Sequence, residues 1–257
     1  MTGTFTPAPG SAPLAKQVAA QARMEARLMI RNGEQLLLAV VIPVIVLIGG
    51  VVGANHVGFD FDQSAIDTFT PGVLALAVMS TAFTSLAIAT GFERRYGVIK
   101  RLGASPLPRA GLLAGKVGAL LLVEVLQVIV IGAVALTMGW SPELSPAALA
   151  ATAAAILLGT AAFASLGLFV AGVLRAEATL AAANLIYLLL MAGGAVVLPV
   201  SEYGGAKVVL DHLPSGALGE AMRNALIHGE FSGGYLAVLA IWAAVGTILT
   251  ARTFKWE

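Results

Sequence analysis

The chain contains no cysteine, which excludes disulfide bonds, thiolate catalysis and metal sites that need cysteine ligands. It is also poor in charge, because only 11% of its 257 residues are Asp, Glu, Lys or Arg, whereas soluble domains carry about 25%. The net charge of +1 gives no reason to expect a nucleic acid partner. An apolar content of 58% and a mean hydropathy of +0.91 indicate an all-α integral membrane protein with several spans.

The sequence also lacks a phosphate-binding loop. The closest pattern, Gly111, Gly115 and Lys116, has three residues between its glycines where four are needed, and Val117 stands where Ser or Thr is required. If ATP drives this protein, another chain must bind it. The histidines are interpreted as solvated loop residues rather than metal ligands (His56, His212 and His228). The chain is therefore not predicted to be an enzyme, and no cofactor or metal is expected in it.

Six apolar segments are near the length of about 20 residues that a helix needs to cross the hydrocarbon core. They are residues 36–53, 71–92, 112–138, 146–174, 178–200 and 235–250. Residues 1–13 are rich in Thr, Pro, Gly and Ala and are predicted to be disordered. The membrane domain is then predicted to comprise residues 14–257.

The basic residues orient these spans. All of the fifteen Lys and Arg residues except Lys207 and Arg223 fall on the side that also holds both termini. Lys and Arg accumulate in cytoplasmic loops. We therefore predict a multi-pass protein of the cell membrane with both termini in the cytoplasm.

A basic island, residues 92–116, separates the second and third spans. Its first part is predicted to form a short cytoplasmic helix from Glu93 to Leu102, on which Val98, Ile99 and Leu102 form an apolar stripe. Two interpretations remain open, a loop that only sets the topology and a docking helix on which another protein pushes. The residues assigned to this segment are Glu93, Arg94, Arg95, Gly97, Val98, Ile99 and Leu102.

Two amphipathic regions accompany the spans. Residues 14–35 predict a basic N-terminal helix on the cytoplasmic face, or equally a charged flank of the first span. Before the last span, residues 201–212 and a second helix, capped by Ser215 and ending at Gly229, predict an outer helical hairpin. This hairpin is either partly re-entrant or an ordinary outer loop. The second helix is predicted to present one shared face, formed by Leu218, Met222, Ala225 and Leu226.

Glu124 is the only ionisable side chain predicted to lie deep in a span. It follows Lys116 by about 12 Å of helical rise, and Gln127 lies one turn further on nearly the same face. An ionised acid there costs about 2.5–3.5 kcal/mol, so it should face protein or water. It is either a pathway or coupling residue, which we favour slightly, or a polar lock to a neighbouring helix.

Two polar stripes on the spans are further pathway candidates, although such stripes more often mediate helix packing. The stripe on the second span consists of Thr81, Thr84 and Ser85. The stripe on the fifth span consists of Asn184 and Tyr187.

Three patches carry a resemblance to a known family. The first is Phe69-Thr70-Pro71-Gly72. The second is Glu93-Arg94-Arg95-Tyr96-Gly97 through Leu102, followed by Ser105-Pro106-Leu107 and Gly115-Lys116. The third is Gly193-Gly194, Leu198-Pro199, Leu213-Pro214 and Ala221-Met222-Arg223. In this order and spacing they resemble the permease subunits of type-2 ABC exporters, which include bacterial exporters of drugs, polyketides and polysaccharides. Ser105 departs from the family, which usually has Thr before this proline.

The resemblance implies a six-helix permease that pairs with a second permease, identical or related. It implies two separate ATPase subunits, which bind ATP and Mg and dock on the coupling helix, here Glu93 to Leu102. Pro199, Pro214 and Arg223 would belong to the family's outer hairpin. Efflux of hydrophobic drug-like or lipid-like compounds, as in multidrug resistance, is then expected. Two alternatives remain, a proton-coupled carrier that uses Glu124 and a membrane scaffold without transport.

The predicted topology can be tested with single cysteines, because none has to be removed first. Cysteines that replace Ser64 and Ser232 should react with a membrane-impermeant thiol reagent in intact cells, since both positions are predicted to lie outside. A cysteine that replaces Ser105 should react only after the cells are opened, and the cysteine-free parent measures the background. Labelling at position 105 in intact cells would overturn the layout.

Overall fold

The computed structural model of the protein describes residues 12–58, 61, 63–102 and 107–254, without the side chains of residues 34–38 and 109. All regular structure in these ranges is helical. Six helices are long and apolar enough to cross a membrane, which confirms the predicted all-α class and the six spans. The helices that contain these first to sixth spans are Gly33–Val57, Ala65–Arg95, Arg109–Thr137, Pro146–Val173, Ala176–Gly193 and Gly233–Thr253.

Parts of three predicted features lie outside the described residues. They are residues 1–11 of the predicted disordered segment, the Ser105-Pro106 part of the loop after Leu102, and residues 255–257 of the membrane domain.

The second span begins earlier than its hydropathy indicated. The side chain of Ser64 accepts a hydrogen bond from the Asp67 backbone N–H, and this cap starts the helix at Ala65. Pro71, predicted as the first residue, lies inside the helix. This span is the centre of the bundle, because 78% of the residues in its most apolar stretch are buried, more than in any other span.

A π-helical turn, Ser80–Ser85, interrupts the second span near its middle. The fourth span approaches this turn closely at Gly167, where an added Cβ would lie 2.8 Å from the carbonyl oxygen of Phe83. Thr81, Thr84 and Ser85 all belong to this turn. Such turns are often found at functional sites.

The predicted helix from Glu93 to Leu102 is wrong in its boundaries. Glu93, Arg94 and Arg95 form the end of the second span, and a separate short helix covers Val98–Leu102. Gly97 lies between them with a φ of +69°, a conformation that residues other than glycine adopt at an energetic cost. The chain therefore turns at Gly97 instead of continuing as one helix.

The N-terminal helix is separate from the first span. It covers Leu14–Arg31 and stops at Asn32, so it is shorter than the predicted residues 14–35. It packs along the start of the third span, where Gly115 lies against Gln21 and Gly118 lies against Ala22. The absence of side chains at these two glycines lets the helices approach closely.

The fifth span ends at Gly193, earlier than the predicted residue 200. Ala195 has a φ of +53°, so the helix cannot continue through it. Residues 195–199 are irregular and lead to a 3-10 helix, Val200–Ala206, and a short α-helix, Lys207–Leu210. These two elements replace the single helix predicted for residues 201–212.

The second hairpin helix covers Pro214–Arg223 and continues as a π-helical turn, Asn224–His228. Its cap is Leu213, followed by Pro214 in the first turn, so the prediction that Ser215 caps the helix is wrong. The helix stops at Gly229, whose φ is +72°, as predicted. The predicted face is buried in the bundle (Leu218, Met222, Ala225 and Leu226).

Contacts between elements define two ends of the bundle. At the end called the basic end, Arg94 donates to the Ala171 carbonyl, and its guanidinium lies over the ring of Phe254. At the opposite end, the Ser141 N–H donates to Asp67, and the Trp242 indole N–H donates to the carbonyl of His212. Which end faces the cytoplasm stays a prediction.

Candidate functional site

An ion cluster around Lys116 lies at the basic end. The Lys116 Nζ is 2.7 Å from Glu93 Oε1 and 3.3 Å from Glu25 Oε1, and the lysine side chain is only 5% exposed. Gln21 Nε2 donates to the same Glu25 oxygen at 2.9 Å. An ammonium group that is removed from water needs such partners, because an unpaired buried charge is very costly. The cluster therefore connects the N-terminal helix with the second and third spans.

No local sequence pattern predicts this cluster. The sequence places Lys116 in the basic island and indicates no role for Glu25. One signal was available, because Glu25 is the sole acid in a helix with four basic residues (Lys16, Arg23, Arg27 and Arg31).

Arg94 and Arg95 attach the same end of the second span to the fourth, fifth and sixth spans. Arg94 Nη1 donates to the carbonyl of Ala171 and lies 3.5 Å from that of Leu174, at the C-terminus of the fourth span. A cation is favourable there because the last carbonyls of a helix lack helical partners. Arg95 forms an ion pair with Glu177, but both side chains are half or more exposed, so this pair contributes little.

The segment after these arginines has one side exposed to solvent and one side buried in the protein. Tyr96 and Val98 are exposed, at 63% and 36%, whereas Ile99 is buried at 3%. The predicted apolar stripe is thus divided, since Ile99 packs into this chain and Val98 remains available to a partner. Leu102, at the end of the short helix, is half-buried.

A groove of about 630 Å³ runs between the first, second and fifth spans. The structure brings four predicted pathway residues together on its wall. They are Thr84, Ser85, Asn184 and Tyr187. Ser80, which was not predicted as a pathway residue, lies on the same wall. The groove reaches Glu93, Tyr96 and Val98, so it is continuous with the segment at the basic end.

The other three predicted pathway residues lie inside the bundle and do not line this groove. Thr81 Oγ1 donates to Gln127 Oε1 at 3.0 Å, and Gln127 Nε2 donates to the Ala39 carbonyl at 2.8 Å. Glu124 is 1% exposed, and its Oε2 accepts from Thr160 Oγ1 at 2.7 Å. These bonds join the third span to the first, second and fourth spans, which favours the interpretation of Glu124 and Gln127 as polar locks.

At the opposite end, Arg223 connects the hairpin with the end of the fifth span. Its Nη1 is 2.9 Å from Glu220 Oε1, and its Nη2 donates to the carbonyls of Val196 and Val197 at 3.1 and 2.5 Å. Burial lowers the pKa of the Arg223 guanidinium, and the neighbouring Glu220 carboxylate opposes this shift. The second hairpin helix, through Arg223, thus supplies hydrogen-bond donors to the irregular backbone after the fifth span.

The Pro-Gly patch of the second span belongs to the same contact. A Cβ at Gly72 would overlap the Val197 carbonyl oxygen and lie 2.8 Å from Arg223 Nη2. Glycine at position 72 therefore lets the second span lie against the Arg223 contact. The two predicted hairpin prolines occupy helix starts, Pro199 before the 3-10 helix and Pro214 in the first turn of the next helix.

Comparison with known families matches residues 16–226 to the ABC-2 type transporter family. The match includes the N-terminal helix, the first five spans and the outer hairpin. No curated protein matches the chain significantly. Among the described residues, no group of three or more His, Asp or Glu side chains could hold a metal ion.

The Lys116 cluster predicts a large loss of stability when the cation is removed. Lys116→Met leaves the partly buried carboxylates of Glu25 and Glu93 without their counter-charge, so the free energy of unfolding should fall by about 3 kcal/mol. Lys116→Arg retains a cation and should lose less. Thermal unfolding of the purified protein in detergent measures this, with the exposed Lys100→Met as the control, expected within about 0.5 kcal/mol of the parent. Equal stability of Lys116→Met and Lys100→Met would contradict a structural role for the cluster.

Proposed function

Because the chain belongs to the ABC-2 type transporter family and is the membrane permease of an ABC transporter, we propose that it forms the transmembrane subunit of an exporter driven by separate ATPase subunits. Two ATPase copies would bind ATP and Mg at the basic end. A second permease, identical or related, would complete the substrate pathway. The basic end would face the cytoplasm, which the distribution of Lys and Arg supports.

One observation carries this proposal, the attachment of the segment Tyr96–Leu102, called the docking segment below, to the second span. Glu93 holds the end of that span to Lys116 of the third span, and Arg94 holds it to the fourth span. Lys116 also pairs with Glu25, which adds the N-terminal helix. Tyr96 and Val98 of the docking segment are exposed to a partner. A force on this segment would therefore reach the second span directly. Rigid helices with fixed contacts at their ends can carry such a displacement over their whole length.

The groove between the first, second and fifth spans is the proposed substrate pathway. Its wall combines apolar side chains such as Ile42 and Leu180 with the hydroxyl and amide groups of Ser85 and Asn184. A mostly apolar surface with a few polar groups suits hydrophobic drug-like or lipid-like compounds. Displacement of the second span at its π-helical turn, which lies on this wall, would change the shape of the groove.

The position of Glu124 disfavours the alternative of a proton-coupled carrier. Such a carrier needs an acid that exchanges protons with water, whereas Glu124 is 1% exposed and lies away from the groove. A scaffold without transport would not need a groove that joins polar residues to the docking segment.

The docking role predicts that charge on the exposed side of the segment prevents ATPase binding. Tyr96→Asp combined with Val98→Asp should leave the permease inserted but remove most of the ATPase that co-purifies with it, because carboxylates replace two exposed side chains that would contact the partner. Ile99 is unsuitable for this test, since it is buried and its replacement would disturb the fold. The control is Leu144→Asp, an exposed leucine at the opposite end. Undiminished ATPase retention and transport in the double variant would contradict the docking role.

The polar-lock interpretation of Glu124 predicts that its charge is dispensable. Glu124→Gln keeps an acceptor for Thr160, so assembly and ATP-driven transport should both remain near the parent level. Glu124→Leu loses the hydrogen bond and should lower stability by about 1 kcal/mol. Transport by the reconstituted complex and size-exclusion chromatography provide the two measurements. A Gln variant that assembles normally but no longer transports would show that the carboxylate acts in transport.

A further inference from the structure

Four arginines surround a cleft of about 920 Å³ at the basic end, between the ends of the second, fourth, fifth and sixth spans. Its lining includes one acid, Glu177, so positive charge predominates. The arginines are Arg94, Arg95, Arg175 and Arg252. Neither the transport pathway nor the docking segment accounts for this cleft.

Within the described residues, two of the four arginine side chains have no partner. Arg94 is engaged with backbone carbonyls and Phe254, and Arg95 is paired with Glu177. Arg175 and Arg252 are exposed, and their guanidinium groups have no ion-pair or hydrogen-bond partner in the part of the chain that the structure describes. The fifth span starts at Ala176 on the wall of the same cleft, and the free N–H groups of a first turn add a favourable field for an anion.

An apolar groove of about 310 Å³ adjoins this cleft and runs between the third, fourth and sixth spans. Phe254 borders both cavities, and Val117, Ala161, Leu168 and Ala251 line the groove. Its lining contains no charged residue among the side chains that the structure describes. Between Ala161 and Val173, which lines the cleft, the fourth span rises about 18 Å. This length is close to one leaflet, half of a hydrocarbon core of about 30 Å.

We propose that the cleft and the groove together bind one anionic phospholipid, with its phosphate between Arg175 and Arg252 and an acyl chain in the groove. Basic pockets between membrane helices recognise acidic lipid headgroups. An acidic protein surface could match the arginines, but it would leave the apolar groove beside Phe254 unused. The bound phosphate would connect the ends of the fifth and sixth spans next to Arg94. The proposal depends only on the membrane-spanning fold, so it can fail or hold independently of ATP-driven export.

The first experiment measures lipid preference. The purified full-length protein in neutral detergent is mixed with equal amounts of phosphatidylglycerol and phosphatidylcholine that carry the same acyl chains. Retained lipid is then read by native mass spectrometry. The parent should retain phosphatidylglycerol selectively. Arg175→Ala combined with Arg252→Ala should lower that selectivity roughly twenty-five-fold, from about a fivefold loss for each arginine.

Two matched variants serve as controls. Arg23→Ala combined with Arg27→Ala removes the same charge from exposed positions of the N-terminal helix and should keep the selectivity. Arg175→Lys combined with Arg252→Lys retains the charge and should keep most of it. Size-exclusion chromatography shows that each variant is folded. Unchanged selectivity in the folded Arg175→Ala, Arg252→Ala protein overturns the proposal.

The second experiment separates a lipid from other anions. Ala251→Phe fills the groove and leaves all four arginines, so it should weaken retention of long-chain phosphatidylglycerol. Inorganic phosphate should displace the lipid poorly, because it lacks the acyl chain. Efficient displacement by phosphate together with unchanged retention in Ala251→Phe would identify a simple anion site and overturn the proposal. Loss of ATPase co-purification in Arg175→Ala, Arg252→Ala with unchanged lipid retention would instead assign the cleft to an acidic partner surface.

Discussion

The ammonium group of Lys116 sets the arrangement of the basic end, because a buried cation is stable only beside negative partners. Those partners, Glu25 and Glu93, belong to the N-terminal helix and to the second span, while Lys116 lies on the third. Three elements must therefore meet at one point. Gly115 and Gly118 make the meeting possible, since a larger residue at either position would push the N-terminal helix away. The docking segment starts only a few residues beyond Glu93 and depends on this placement.

The second span connects the basic end, the proposed pathway and the outer hairpin. At the basic end it carries Glu93, Arg94 and Arg95, and near its middle a π-helical turn forms part of the groove wall. At the opposite end Gly72 lies against the contact between Arg223 and the end of the fifth span. A displacement at one end would thus affect the groove and the hairpin through one enclosed helix. The contacts along this helix support the proposal of an ATP-driven permease more directly than the buried Glu124 does.

The cleft beside Arg94 adds a membrane lipid to the proposed contacts of the basic end. Its arginines Arg175 and Arg252 lie where the fifth span begins and the sixth ends, and these two spans are largely unburied in the single chain. An anionic lipid there would hold together the start of the fifth span and the end of the sixth span. Such a lipid would act on the same end of the second span as the Lys116 cluster.

The sequence by itself determined the number of spans, the all-α class and the segregation of basic residues, because transfer into a bilayer depends on local composition over about 20 residues. It also determined where the second hairpin helix ends, since Gly229 adopts a conformation that other residues disfavour. Only the tertiary structure decided the break at Gly97, because a glycine in a basic island does not reveal its own φ angle. Tertiary structure likewise placed Glu124 and Gln127 between helices while Thr84 and Asn184 face a groove. The environment of a polar side chain in a membrane is set by residues far away in the chain, as the contact between Glu25 and Lys116 shows. Local sequence patterns do not identify such contacts.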